Sequence, residues 1–127
     1  MKLTLNLAEG KVCAKCGMAE PPIFRHHKGN DAYLAHFDKR ISFNYDRYLD
    51  CAYLCFDHHC EIHWLYEQRL IRFWVDWTPN GAQRMRKKCL DLCNKWLKGR
   101  IKSSRIPKEF REQFIRSFEE FSRVRTP

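Results

Sequence analysis

The ten residues from Leu54 to His63 read Leu-Cys-Phe-Asp-His-His-Cys-Glu-Ile-His and hold four side chains able to bind a metal ion: Cys55, His58, His59 and His63. His59 and His63 are four apart. On a helix that spacing sets both imidazoles on one face, a turn apart, where they can share an ion. Cys55 and His58 have two residues between them, the separation used by the halves of structural zinc sites. The segment therefore predicts contributions to two different ions, whose remaining ligands must come from elsewhere.

The chain supplies them. Cys13-Ala14-Lys15-Cys16-Gly17 is a cysteine knuckle in which two intervening residues let the backbone turn around one ion and Gly17 frees the bend. A redox Cys-x-x-Cys pair expects a strand leading into a helix, which Gly17 and Pro21-Pro22 do not offer. Cys13, Cys16, Cys55 and His58 thus make a Cys3His set, closed and structural, for zinc. Cys51 is excluded from it, because four residues of strand span about 13 Å. Cys60 lies about 100° around the helix from His59 and packs inward. Arg25-His26-His27 sits on an extended segment, where adjacent side chains point to opposite faces. One of these histidines joins His59 and His63 on the second ion, and three imidazoles leave positions open for chemistry. The spare histidine can act as general base near neutral pH.

These residues require elements to position them. Pro21 to Lys28 reads as extended and Gly29-Asn30 as a turn. Residues 30–50 read as an aromatic, mixed-charge loop with room for a short helix, and His36 within it receives no role. A second strand is expected over Tyr48–Leu54, running into Cys55. A helix is expected from Asp57 or His58, with Ile62, Leu65 and Tyr66 inward and Arg69 outward. Thr78-Pro79-Asn80-Gly81 breaks the chain and can cap a new helix. From Ala82, Met85, Cys89, Leu92, Cys93 and Trp96 form a helical core stripe that Gly99 stops. A last helix opens at Pro107, with Phe110, Phe114, Phe118 and Phe121 read as core. The expected fold is α+β, one domain over 1–127: a zinc-stabilised ββα core over 1–77 and a basic helical extension over 78–127.

Charge is unevenly placed. Residues 1–81 carry ten basic and ten acidic side chains, whereas 82–127 carry fourteen and five, so the net +9 belongs to the C-terminal third. Such a block suggests a polyanionic partner, with DNA first. No apolar run approaches the roughly 20 residues of a membrane span, so no membrane partner is expected. Leu3, Leu5 and Leu7 alternate with Thr4, Asn6 and Ala8 as in a strand, unlike a signal peptide, which predicts an intracellular location. Seven cysteines, an odd number, then favour thiols and metal thiolates over disulfides.

Taken together, the knuckle, the paired histidines, two strands and Leu-Cys-x-x-His-His-x-x-Ile-His resemble the HNH endonucleases, the ββα-metal or His-Me finger nucleases. The paired histidines followed by His-x-x-x-His look most like the nuclease domains of colicin-type toxins. The resemblance covers Val12 to about Leu65, and small stand-alone members are common in phage and bacteria. The usual family form has cysteine where His58 stands. The resemblance implies that His26, His59 and His63 hold the catalytic ion and that His27 is the base. It puts Asp50 where the family has asparagine, a departure, with Asn44 the nearest asparagine in the loop. It further implies metal-assisted hydrolysis of DNA leaving 5′-phosphate and 3′-hydroxyl ends, with Mg²⁺ or else Mn²⁺, Ni²⁺ or Zn²⁺ as the catalytic ion, by a monomer or a homodimer. Arg25 would touch phosphate, and Arg84, Lys87, Lys88, Lys95 and Lys98 would hold the backbone. A metalloprotease needs glutamate after the first histidine of His-x-x-x-His, where Cys60 stands. A simple C2H2 finger needs about 12 residues between its halves. Here 42 residues separate Cys16 from His59. The remaining alternative is a non-catalytic zinc-containing DNA-binding protein with a degenerate form of the same fold.

Overall fold

Ile23–His27 (β1) and Cys51–Cys55 (β2), both largely buried, pair as an antiparallel two-stranded sheet. The register runs from Ile23 opposite Cys55 to His27 opposite Cys51. Opposed residues share a face, so Phe24, Leu54, His26 and Ala52 line one side, and Ile23, Cys55, Arg25, Tyr53, His27 and Cys51 the other. The computed structural model describes residues 11–20, 22–35, 37–38 and 51–125, with side chains in the last helix as far as Arg116. The expected N-terminal strand, His36, Asn44, Asp50 and the Phe118 and Phe121 side chains lie outside the described residues.

Between the strands, Asn30 adopts the left-handed conformation (φ 58°) and starts a single helical turn, α1 (Asp31–Leu34), the short helix expected in this loop. After β2 there is no connecting loop. Cys55 keeps extended dihedrals (φ −69°, ψ 170°), and the helix α2 (Phe56–Arg69) begins at the next residue. It therefore starts one to two residues earlier than expected, because an extended residue already serves as N-cap. A 3₁₀ turn over Ile71–Phe73, which periodicity did not announce, leads toward α3 (Pro79–Leu97).

Thr78 caps α3: its hydroxyl accepts from the Gly81 N–H at 3.0 Å, and Pro79 fills the first turn, where no N–H is needed. Gly99 at φ 75° ends it. The predicted stripe is buried: Met85, Cys89, Leu92, Cys93 and Trp96 pack with Ile62, Leu65 and Tyr66 of α2 and with Leu34 and Leu54 into one core. The last helix, α4 (Lys108–Arg125), follows Pro107 as expected. The architecture is a small α+β fold. Among the described residues no helix is long and apolar enough to cross a membrane.

One buried ion pair fixes the β1–α1 turn to α3. Asp31, 1% exposed, accepts from Arg86 Nε at 2.7 Å. A Cβ on Gly29 would lie 2.8 Å from both Arg86 Cγ and Asp31 Oδ1, so only glycine lets the arginine cross the turn. Removing one partner of such a pair leaves a buried charge. Arg86→Met is expected to lose about 3 kcal/mol in urea unfolding, and adding Asp31→Asn to recover part of that loss.

Candidate metal centres

The knuckle is built by backbone hydrogen bonds around Cys13. Cys13 N–H donates to Met18 O (2.8 Å), Gly17 N–H to Cys13 O (2.7 Å), and Lys15 N–H to the Cys13 sulfur (3.4 Å). Gly17 takes φ 78°, as the bend requires. The loop docks on the free edge of β2 through Ala14 N–H to Tyr53 O (2.7 Å). It docks on the C-terminal end of α3 through Lys15, whose ammonium donates to Trp96 O, where the helix dipole favours a cation. Trp96 also donates to Glu61 (2.7 Å) and packs beside His58, so one side chain braces knuckle, α2 and α3 together.

This places the ligand atoms of Cys13, Cys16, Cys55 and His58 within 4.8 Å of one another, a cluster that can hold a metal ion. A tetrahedral ion with metal–sulfur bonds of about 2.3 Å and metal–nitrogen bonds of about 2.0 Å has edges of about 3.8 Å (S···S) and about 3.6 Å (S···N). The structure has 3.9 Å for Cys16 Sγ–Cys55 Sγ, 3.6 Å for Cys13 Sγ–His58 Nδ1 and 3.3 Å for Cys55 Sγ–His58 Nδ1. These three edges lie within about 0.3 Å of the tetrahedral values. Burial raises the Cys13 thiol, but backbone hydrogen bonds from Cys55, Cys16 and Lys15 outweigh it and bring it down to about 7. Burial and the neighbouring thiols push Cys55 up to about 11.

On the other side of the same turn, His26, His59 and His63 form a second cluster, also within 4.8 Å. His59 Nε2 and His63 Nε2 approach to 3.2 Å, close to the roughly 3.3 Å edge of two imidazoles on one tetrahedral ion. His26 arrives from β1, its ring edge-on to both (5.2 and 5.0 Å). Phe24 stacks on His59, Tyr66 on His26, and Phe114 of α4 lies 5.3 Å from both His59 and His63. In this apolar cage burial drives all three imidazoles toward the neutral, ligating form. His26 and His59 fall well below their ordinary value, with the neighbouring histidines adding to the effect, and His63 falls to about 4.

His27 joins neither cluster. It points to the opposite face of β1, 6% exposed, with Nδ1 at 3.5 Å from Cys51 Sγ and 4.0 Å from Asp31 Oδ2. Asp31 was not singled out by sequence. Its signal is the four-residue step from His27, which the Gly29-Asn30 turn folds back on itself. Arg25 is half-buried on that same face. Arg84, Lys87, Lys88, Lys95 and Lys98 line the exposed side of α3, with Arg84 paired to Asp76 and Lys95 to Asp91. Cys60, Cys89 and Cys93 are buried core thiols whose pKa values burial raises, Cys89 to about 12 and Cys93 to about 11. No known protein family, curated protein or solved structure matches the chain.

Because the folded state refuses protons that the unfolded chain accepts, the metal-free protein loses stability as pH falls from about 6.5 to about 4. Its urea midpoint is expected to drop through that window, and His63→Gln to flatten the drop.

Proposed function

We propose that the chain is a metal-dependent nuclease of the HNH type, acting on DNA, with a structural zinc beside a catalytic ion. The observation that carries this reading is the division of labour at the β2–α2 turn. Cys55 and His58 turn back to the knuckle, while His59 and His63 meet His26 from β1. Three thiolates and one imidazole with no open position suit zinc in a structural role. His26, His59 and His63 would hold a divalent ion through neutral imidazoles with coordination positions to spare, and an ion bound there would supply charge stabilisation to a phosphodiester in hydrolysis.

The chain's own residues do the rest. His26, His59 and His63 present lone pairs at a fixed spacing. His27, at the end of β1, takes the proton of the attacking water, with the Asp31 carboxylate on its Nδ1 side to favour the imidazolium that results. Asp31 thereby offers His27 a carboxylate partner, whereas the family pattern has an asparagine, at the position of Asp50. The exposed cations of α3 hold the phosphate backbone. Phe114 of α4 packs over His59 and His63 and narrows the approach to the ion, leaving His63 half-exposed. That helix is held to α2 by aromatic contacts of Phe110 and Phe114 and by the exposed Arg111–Asp57 pair at 2.7 Å.

The same packing favours a second reading. His26 and His59 are only 2% and 4% exposed, and a three-histidine ion held beside Phe114 could serve the fold of a non-catalytic DNA-binding protein.

Supercoiled plasmid with Mg²⁺, Mn²⁺, Ni²⁺ or Zn²⁺ decides between them. Nicking is expected with at least one ion. His27→Ala should lower the rate roughly 100-fold or more while plasmid binding persists. Phe114→Ala is expected to nick several-fold faster than the wild type. Binding without cutting under every ion, in the wild type and in Phe114→Ala, establishes the non-catalytic reading. X-ray absorption at the zinc edge should show three sulfurs near 2.3 Å and one nitrogen near 2.0 Å, and Cys55→Ser should lose that ion together with the fold.

A further inference from the structure

Tyr66 lies three residues after His63 and seven after His59, on the face of α2 that carries both imidazoles. It is fully buried, and its ring stacks at 23° on His26 with centroids 5.7 Å apart. Periodicity alone makes it a core tyrosine. Its hydroxyl shows more: it lies 2.6 Å from Lys28 O and 2.8 Å from His26 Nε2. The Cys93 thiol is also within hydrogen-bonding reach, where, with the hydroxyl hydrogen held by Lys28 O, its S–H can only donate to the hydroxyl oxygen.

A tyrosine hydroxyl has one hydrogen. A carbonyl oxygen only accepts, so at 2.6 Å that hydrogen lies on the path to Lys28 O. The contact with Nε2 then needs its hydrogen from the imidazole. A neutral imidazole carries a single N–H, so with Nε2 protonated the lone pair is on Nδ1.

We propose that Tyr66 is a positioning residue for the second metal centre, fixing His26 as the Nε2–H tautomer so that it offers Nδ1 to the ion, while His59 and His63 offer Nε2. This rests on the reading of the three histidines as a metal centre and is independent of nuclease activity. The device is anchored in main chain. Lys28 directly follows β1, so the carbonyl that orients the hydroxyl belongs to the same segment as the histidine being oriented. The two-membered relay, imidazole N–H to phenol to carbonyl, also ties the sheet end to the last turn of α2. A metal-binding histidine whose other nitrogen donates to a fixed acceptor is held in one orientation, and loss of such a partner typically weakens metal affinity by about 10- to 100-fold.

Two measurements test this. Long-range ¹H–¹⁵N spectra of the metal-free wild type are expected to show His26 protonated at Nε2; protonation at Nδ1 overturns the proposal. In zinc-loaded protein titrated with Co²⁺, Tyr66→Phe is expected to weaken Co²⁺ binding about 10- to 100-fold, whereas Ile62→Val, a core change on the same helix, should leave it within twofold. Tyr66→Phe that binds Co²⁺ within twofold of wild type overturns the positioning role. Wild type that takes no Co²⁺ at these histidines overturns the metal-centre reading instead, and the tautomer spectrum then decides the role of Tyr66 alone.

Discussion

Everything in this fold hangs on a strand that becomes a helix with no residue between. Cys55 is the last residue of β2 and Phe56 the first of α2. An extended chain presents neighbours on opposite faces and a helix rotates them by about 100°. The junction thus aims consecutive ligands in different directions. Cys55 and His58 turn one way, and His59 and His63 the other. A loop of even two residues here would have freed the relative orientation of the clusters. Its absence makes the geometry of one cluster a boundary condition on the other.

The energetics follow from what has been buried. Two imidazoles, His26 and His59, and two of the cysteine thiols of the knuckle cluster are buried in the interior, with His63 half-buried beside them, ringed by Phe24, Tyr66, Phe114 and Trp96. Polar groups moved from water into such surroundings cost free energy unless something satisfies them. Here the partners are mostly one another, at separations that match the edges of a tetrahedron around an ion. A core of this size gains from such an ion more than a large domain would, since its apolar burial leaves little surplus. Trp96 and the Asp31–Arg86 pair carry the complementary load by joining α3 to the knuckle and to the β1 turn.

How much of this the sequence disclosed depends on distance along the chain. The Cys/His clusters could be read because ligand-like spacing is a local property: Cys-x-x-Cys, Cys-x-x-His and His-x-x-x-His each lie within one turn. The exclusion of Cys51 rested on strand length, and the structure has it beside His27 instead. The capping of α3, the core stripe and the glycine stop were equally local. What sequence could not show were contacts between distant segments whose residue types were already explained. Phe114 had a sufficient role as helix core, and nothing in its spacing said that it would lie over His59 and His63. Tyr66 counted as one more inward apolar position, because periodicity sees a ring and not the partners of its hydroxyl. Asp31 reaches His27 only through the left-handed turn at Asn30.

The adjacency of His58 and His59 has a mechanical meaning as well. Two neighbouring peptide units share one stretch of helix, so a twist that relaxes either imidazole displaces the other. The first turn of α2 is in effect a rocker with a load at each end. Stiffening the sulfur-rich end would sharpen the spacing of the three histidines without touching them, and slackening it would blur that spacing. Communication between the clusters needs no intervening network, only the rigidity of a single turn.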